Sequence, residues 1–313
     1  MKLKNKSEKR TNNKYLIPGT RLVGKKAREF ERTMKMIEEG TMCLAYDRAF
    51  TLAMCQNSDL AQHILDAVLG EGVVHVDSFS TEKEFRYYIG GRAMRLDFFG
   101  LDQKNNKLIN IEMQMSNIDE VPVKMRLNQS YIDRSHPRIG SSLKNICGLI
   151  VLFFVNADIF GQGKAIYEPP LDYWSKGGHP FNDGVRRIIV NLKYEGKENT
   201  ELCHLIEDLK QTNLHKMHSN IMKNALQLVL EGGRDMWIKA FEGGPYEAYM
   251  LQFAKGEAKG RAETVMHLHR VKRLSAEEIS DLIGYPLDEV RAILRKNGIP
   301  KKAPLNSDKS SIR

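Results

Sequence analysis

The sequence is poor in cysteine and lacks the motifs of several common enzyme classes. Its four cysteines form no Cys-x-x-Cys pair, which argues against a zinc site or a disulfide framework and fits a reducing cytoplasm. The chain also has no Gly-rich phosphate-binding loop and no nucleophile elbow, which argues against P-loop and serine-hydrolase chemistry. The cysteines are therefore predicted to be small buried hydrophobic residues.

Long hydrophobic runs are missing too. The most apolar stretch, 148–155, is too short to cross a bilayer and predicts a buried strand. The Lys-rich N-terminus has no apolar segment of the kind that a secretory signal needs. With 313 residues, 42% of them apolar and 28% charged, the chain is expected to be a globular cytoplasmic protein without a membrane partner.

The histidines form no recognisable metal-binding motif. The pairs His215-x-x-His218 and His267-x-His269 lie in predicted helices, without a third ligand or a His-Glu-x-x-His context. His267 and His269 would also point to different faces of their helix. A metal role is therefore not predicted for either pair.

Positive charge, by contrast, is plentiful and concentrated near the N-terminus. The net charge is +9, and residues 1–40 contain 12 Lys and Arg against five Glu. A basic arm of this kind can supply sequence-independent contacts to phosphate groups. A solvated tail that only aids solubility explains the same composition, so both interpretations stay open.

The order of predicted elements indicates a mixed α/β fold. It predicts a central mixed sheet with helices packed on it, and not a doubly wound parallel sheet. The predicted helices are 25–39, 44–69, 123–132, 201–210, 220–230 and 234–253, and the predicted strands are 73–79, 85–89, two within 95–114, 149–155 and 185–192. The predicted segments are a basic arm (1–40), the core (41–200), a helical extension (201–255), a hinge at 256–263 followed by two short helices (to 300), and a basic tail (301–313).

The two short helices near the C-terminus resemble a helix-turn-helix. Ser275 and Glu278 form a capping box at the start of the first helix, and a Gly-Tyr-Pro turn separates it from the second. Arg291 and Arg295 share a face of the second helix, which would suit contact with DNA phosphates. The alternative is a helical packing module through which the chain forms a homodimer.

The most informative stretch is 95–114, which predicts two strands joined by a polar turn. In the first strand, Leu96 and Phe98 are expected to face away from Asp97. Neighbouring strands lie about 4.8 Å apart, so the carboxylates of Asp97 and Glu112 can converge on one cation. The alternation alone, however, favours a plain half-exposed hairpin with its polar residues in solvent. The apolar positions of the second strand are Ile109, Ile111 and Met113.

Several segments around this hairpin carry a resemblance to one family, and together they cover roughly residues 44–200. They are Tyr46-Asp47-Arg-Ala-Phe50, Leu65-Asp-Ala-Val-Leu69-Gly70, Arg95-Leu96-Asp97, Ile111-Glu112-Met113-Gln114, Pro122-Val-Lys-Met-Arg126-Leu-Asn-Gln-Ser-Tyr131, Asp158-Ile-Phe160-Gly161-Gln-Gly163 and Asp183-Gly184-Val-Arg-Arg187-Ile-Ile-Val-Asn191. With these segments the chain resembles the PD-(D/E)XK nuclease family of bacterial recombination-promoting nucleases and transposases.

The resemblance implies a restriction-endonuclease-like core and hydrolysis of DNA phosphodiester bonds with Mg²⁺, for which Mn²⁺ can substitute. Asp97 and Glu112 would be the catalytic, metal-binding carboxylates, with the backbone carbonyl of Met113 as a further ligand. Mg²⁺ takes hard oxygen ligands and usually only one or two protein carboxylates. Asp47 would assist near the active site or, as an alternative, cap its helix.

One position departs from the pattern in the family's name. Gln114 takes the catalytic position of the lysine, two residues after the second acid; the family commonly has Gln here, but an amide can only orient water and cannot act as a base at neutral pH. Lys124, on the following helix, is a candidate to supply the missing ammonium group. On the same helix, Arg126, Gln129 and Tyr131 would contact DNA phosphate or brace the site.

The leading hypothesis is a Mg²⁺-dependent DNA endonuclease of low sequence specificity, associated with recombination or mobile elements. The missing lysine and the basic arm favour an alternative, a DNA-binding or interaction protein whose nuclease centre is weak or inactive. An anti-phage nuclease effector would share the chemistry of the first hypothesis and differ in its trigger. Metal-dependent cleavage of plasmid DNA separates the enzyme from the binding protein.

Overall fold

The computed structural model describes residues 16–85, 94–135, 142, 146–169, 183–196, 200–283 and 285–297. The chain divides into two compact units, Met1–Met250 and Leu251–Arg313. In the described residues, the first unit is α/β and the second is helical.

The first unit is built on a mixed sheet, as the order of elements predicts. Its described residues form six strands in the order β1-β2-β3-β4-β6-β5. β1, β2 and β3 are antiparallel neighbours, β3, β4 and β6 run parallel, and β5 pairs antiparallel with β6. The strands are β1 (Ser78–Phe85), β2 (Met94–Asp102), β3 (Lys107–Gln114), β4 (Gly148–Val155), β5 (Ile166–Tyr167) and β6 (Val185–Asn191).

Helices cover both faces of this sheet. One face shares a hydrophobic cluster with six helices and with Ala248 near the start of the helix that follows them, and it takes the alternating apolar residues of β3, as predicted. These helices are α1 (Gly24–Glu38), α2 (Asp47–Met54), α3 (Ser58–Leu69), α5 (Glu201–Lys210), α6 (Asn220–Glu231) and α7 (Gly233–Glu242). The opposite face is covered by α4 (Val121–Ser135), whose Val121, Met125 and Ile132 pack against side chains such as Val151 and Phe153. We call this second side the α4 face.

Most of the predicted basic arm belongs to the folded core. Residues 1–15 lie outside the described residues, but Ile17, Leu22 and Phe30 are at most 2% exposed. The Phe30 ring meets Phe241 of α7 edge-on, with 5.7 Å between centroids. The apolar stripe of α1 is thin, yet it is long enough to anchor the helix, so residue 40 is not a domain boundary. The predicted helical extension likewise packs into the main cluster through α5, α6 and α7.

The segment predicted as a strand at 73–79 enters the sheet only at Ser78. Its Val74 and Val76 are buried, but the backbone pairs with side chains instead of a neighbouring strand. Val76 N–H donates to Oε1 of Gln62 at 3.1 Å, and His75 N–H donates to Oδ2 of Asp102 at 3.0 Å. Apolar alternation therefore marked an extended segment without identifying its hydrogen-bond partners. The strand predicted at 85–89 lies outside the described residues beyond its first position.

The helix predicted at 234–253 is divided in two by a Gly-Gly-Pro sequence. α7 ends at Glu242, Gly244 has a φ of 109°, and α8 (Pro245–Lys272) begins at the proline, whose ring suits the first turn of a helix. The predicted hinge at 256–263 lies within α8. Helix-favouring Lys, Glu, Ala and Arg neighbours outweigh the cost of two glycines, about 1 kcal/mol each.

The second unit contains α9 (Ala276–Ile283) and α10 (Leu287–Lys296), with the bounds that the sequence predicts. Its small core joins Val265, Ile279, Val290 and Leu294. The capping box is also confirmed, because Ser275 N–H donates to Glu278 and Glu278 N–H donates to the Ser275 hydroxyl, at 2.7 and 3.2 Å. Among the described helices, none is both long and apolar enough to cross a membrane.

Candidate active site

Two carboxylates lie where β2 and β3 separate. The backbone ladder between these strands ends at the pair Phe98–Ile111. Beyond it, Asp97 N–H donates to Oε1 of Glu112 at 3.2 Å, and Met113 N–H donates to Oδ2 of Asp97 at 3.0 Å. Each acid thus accepts a hydrogen bond from a backbone N–H of the opposite strand. The two side chains continue the hydrogen bonding between β2 and β3 beyond the last backbone pair.

The first strand is irregular at this point. Leu96 packs in the cluster of the α4 face, whereas Phe98 packs in the cluster of the other face, so the prediction that they share a face is wrong. The pairing between β1 and β2 omits Glu82 and Asp97, and Glu82 has a φ of 50°. A local distortion of this kind shifts the alternation of a strand and re-aims a side chain.

Glu112 is completely buried, so the interpretation of a solvent-facing hairpin does not hold for it. A buried carboxylate needs hydrogen bonds or a counter-charge. Its Oε1 accepts a hydrogen bond from Nδ2 of Asn110 at 2.9 Å. Its Oε2 lies 2.8 Å from Nζ of Lys124, but it has no hydrogen bond of regular geometry within the described residues.

Two buried amides that the sequence analysis did not single out hold Glu112 in place. Asn110 donates to Glu112 and, at 3.1 Å, to the carbonyl of Phe98, and Asn128 of α4 donates to Oδ1 of Asn110 at 3.0 Å. The signals that mark them are spacings: Asn110 is two residues before Glu112 on a strand, and Asn128 is four after Lys124 on a helix.

Replacing Asn110 by leucine is expected to lower the free energy of unfolding by about 2 kcal/mol. The change removes three hydrogen bonds of the side chain and leaves the buried carbonyl of Phe98 without its donor, a loss of about 1–3 kcal/mol. Urea unfolding measures the change. Asn224→Leu is the control, because Asn224 is an exposed residue of α6. Equal stability of Asn110→Leu and the wild type would contradict a positioning role for this amide.

Lys124 is the cation of the site. Its Nζ donates to Oε1 of Gln114 at 3.1 Å as well as lying beside Glu112, and Nε2 of Gln114 donates to the carbonyl of Ser116. Burial acts to lower the pKa of Lys124, but the carboxylates of Glu112 and Asp97 outweigh it and raise the pKa. Lys124 is therefore held as an ammonium ion, positioned where it supplies charge and not a base.

The pKa of Asp97 is affected by its burial and by the other carboxylates close to it. Burial and the carboxylate of Glu112 raise the pKa of Asp97 well above its ordinary value, with Lys124 acting in the opposite direction. Asp47, the first residue of α2, adds to this effect through its charge, and burial raises its own pKa. Among the described residues, no three His, Cys, Asp or Glu side chains group closely enough to hold a metal ion by themselves.

The other predicted residues of α4 have separate surroundings. Gln129 accepts a hydrogen bond from Arg187 of β6 at 2.5 Å, which ties the helix to the sheet, and Arg187 also pairs with Asp183 at 3.1 Å. Tyr131 packs in the cluster of the α4 face. Arg126 is exposed. Gln129 thus links α4 to β6, whereas the Arg126 side chain is exposed to solvent.

In the second unit, the two predicted DNA-contacting arginines are exposed on α10. Arg291 forms an ion pair with Glu277 of α9 at 2.6 Å, and Nε of Arg295 donates to the carbonyl of Arg291 at 3.2 Å. In the first unit, His215 lies in a short 3₁₀ turn and not in a regular helix. His218 pairs with Glu207 at 2.7 Å and stacks on His204.

The donors at the two acids fit a hard divalent cation such as Mg²⁺. Carboxylate oxygens on adjacent strands are suitable ligands, and a cation between them would relieve the repulsion that raises the pKa of Asp97. Because the N–H and C=O of a residue point to the same side of a strand, the Met113 carbonyl also faces Asp97.

A cavity of about 490 Å³ lies at the other end of the hairpin and is lined in part by Phe99, Leu101, Asn106 and Cys147. Asp97, Glu112 and Met113 are not among its lining residues.

Comparisons with protein-family models, with curated proteins and with solved structures find no match to this chain.

Proposed function

We propose that this protein is a Mg²⁺-dependent DNA endonuclease with a restriction-endonuclease-like core of the PD-(D/E)XK type. The observation that carries the proposal is the group of Asp97, Glu112 and Lys124 at the divergence of two strands. Structural ion pairs are usually found at the surface, whereas here a fully buried acid, a second acid and a lysine are held together by two buried amides. An acid whose pKa is strongly raised, as that of Asp97 is, beside a specific counter-charge is typical of functional sites.

The roles of the residues follow from their charges. Asp97 and Glu112 would hold the cation, which supplies Lewis-acid polarisation of the scissile phosphate. Lys124, as an ammonium ion, would stabilise negative charge that develops on the phosphate oxygens. Gln114 would orient the attacking water, since its amide can accept and donate hydrogen bonds but cannot take a proton at neutral pH. Lys124 thus replaces the lysine that position 114 lacks.

The test is nicking of supercoiled plasmid by the purified protein in Mg²⁺ or Mn²⁺. We expect Asp97→Asn and Glu112→Gln to lower the nicking rate at least about 100-fold, because each removes a charge that binds the cation. Asn and Gln are preferred to alanine because both retain an oxygen that can accept the amide hydrogen bond of the opposite strand.

Asp281→Asn, at an exposed position of α9, is the matched control and should cut as the wild type does. Circular dichroism shows whether each variant is folded. Nicking that persists in both acid variants would remove Asp97 and Glu112 from the mechanism.

A second candidate function is DNA binding without cleavage. It is favoured by Lys124, whose ammonium group already neutralises Glu112 at 2.8 Å and competes with a cation for that carboxylate. This candidate predicts salt-dependent DNA binding with no nicking in any metal. A gel shift run beside the nicking assay separates the two functions.

A further inference from the structure

An exposed aromatic ring lies on the loop that follows β4, and this loop begins beside Gln114. Val155, the last residue of β4, is in register with Gln114, and the N–H of Asn156 donates to the carbonyl of Gln114 at 3.1 Å. Phe160 is four residues further on, so its Cα lies within about 14 Å of that of Asn156. Its side chain is 45% exposed.

The loop is held in one conformation by Asp158. Its Oδ2 accepts a hydrogen bond from Gly163 N–H at 2.7 Å, and its Oδ1 accepts one from the Tyr167 hydroxyl at 2.5 Å. The hydroxyl of Tyr167 in turn accepts Lys164 N–H at 3.0 Å. Hydrogen bonds to Tyr167 and Gly163 keep the pKa of Asp158 below its ordinary value, so the carboxylate stays ionised and the loop stays fixed at neutral pH.

The ring lies on the same side of the sheet as the catalytic group. Phe160 packs against the ring of Tyr167, with 4.9 Å between centroids, and Tyr167 belongs to the cluster of the α4 face. Lys124 lies on α4, which covers that face. Lys164, next to the ring in the loop, is exposed and adds positive charge.

We propose that Phe160 stacks on an unpaired nucleobase beside the scissile phosphate. A single exposed hydrophobic residue is ordinary on a protein surface. Here, however, the ring packs on Tyr167 of the α4 face, in a loop that also has a lysine and that leaves the sheet beside Gln114. Aromatic rings combined with positive charge bind single-stranded nucleic acid through stacking and phosphate contact. In an intact duplex both faces of a base are covered by its neighbours, so the preferred substrate has unpaired nucleotides.

This inference rests on the proposed DNA substrate, and its test uses binding in EDTA so that cleavage plays no part. The probes are a fluorescein-labelled single strand, a set of the same strand with one abasic site at successive positions, and the matching duplex, titrated by fluorescence anisotropy at fixed salt. The wild type should bind the single strand more tightly than the duplex. Phe160→Ala should weaken single-strand binding roughly tenfold, the loss expected for removing one aromatic–base stack.

Two further variants sharpen the test. Phe160→Trp should retain the affinity, and Ile221→Ala, which truncates an exposed apolar residue of α6 away from the α4 face, should bind as the wild type does. Across the set of abasic strands, one position should weaken the wild type but not Phe160→Ala. A folded Phe160→Ala protein that binds the single strand as tightly as the wild type would overturn the proposal, as would a wild-type preference for duplex. Stacking without nicking in Mg²⁺ would support Phe160 and refute the nuclease.

Discussion

Replacing Lys124 by methionine is expected to lower the free energy of unfolding by about 3 kcal/mol and to abolish DNA cleavage. Removing one partner of a buried ion pair typically costs about 3–5 kcal/mol, because the other charge stays buried and uncompensated. The lower end applies here, since the Lys124 side chain is 28% exposed while that of Glu112 is fully buried. Methionine keeps most of the aliphatic volume, so the loss reports charge and not a cavity.

The double variant Lys124→Met, Glu112→Gln separates charge from packing. With the buried charge gone, we expect it to recover most of the stability that Lys124→Met loses, while still failing to cut DNA. Urea unfolding of the two single variants and the double variant measures the coupling energy. Additive single-variant losses would show that the two residues are energetically independent.

Asp97→Asn is expected to do the opposite, raising thermal stability while abolishing cleavage. The pKa of Asp97 is raised in the folded protein by burial and by Glu112, so the fold favours the protonated form. The stability that this protonation contributes is full below the ordinary aspartate pKa of about 4 and is lost as pH rises through the folded-state pKa. Asparagine is neutral at every pH and retains an acceptor for Met113 N–H.

The gain of Asp97→Asn should therefore increase as the pH rises from about 4 toward neutrality, reaching on the order of 1 kcal/mol, a size common for relief of a strained active site. For a unit of this size that corresponds to about 2–4 °C in Tm. Mg²⁺ should reverse the order by stabilising the wild type alone, since a ligand stabilises only the protein that binds it. Asp281→Asn is the control and should show neither effect. If the difference in stability between Asp97→Asn and the wild type did not change with pH, the pKa of Asp97 would not be raised in the folded protein.

Local sequence signals predicted much of the fold. The alternation of Ile109, Ile111 and Met113 placed β3 with the correct face inward, and the capping box of Ser275 and Glu278 marked the start of α9. Such signals act within a few residues, so the chain carries them directly. They predicted the helix α1 but not its packing into the core, which depends on a distant contact between Phe30 and Phe241.

The sequence predicted the charged residues of the candidate site but not how they are arranged in space. Asp97, Glu112 and Lys124 were singled out from the sequence, and the structure brings them together. The distortion at Asp97, which separates Leu96 and Phe98, depends on the backbone of Glu82 in the next strand. Asn110 and Asn128 were not predicted, because their spacings from Glu112 and Lys124 become informative only when the contact across the sheet–helix interface is known.

The side-chain continuation of the ladder between β2 and β3 also limits how this site can decay. Asp97 and Glu112 each accept a backbone amide that would otherwise lose its acceptor at the opening of the sheet. A homologue that loses the activity no longer needs a negative charge at these two positions. It still needs a side-chain oxygen that accepts the hydrogen bond from the backbone. Inactive copies of this protein should therefore drift toward asparagine and glutamine at these positions before they reach alanine or leucine. The hydrogen bonds between β2 and β3 would then persist in proteins that no longer cleave DNA.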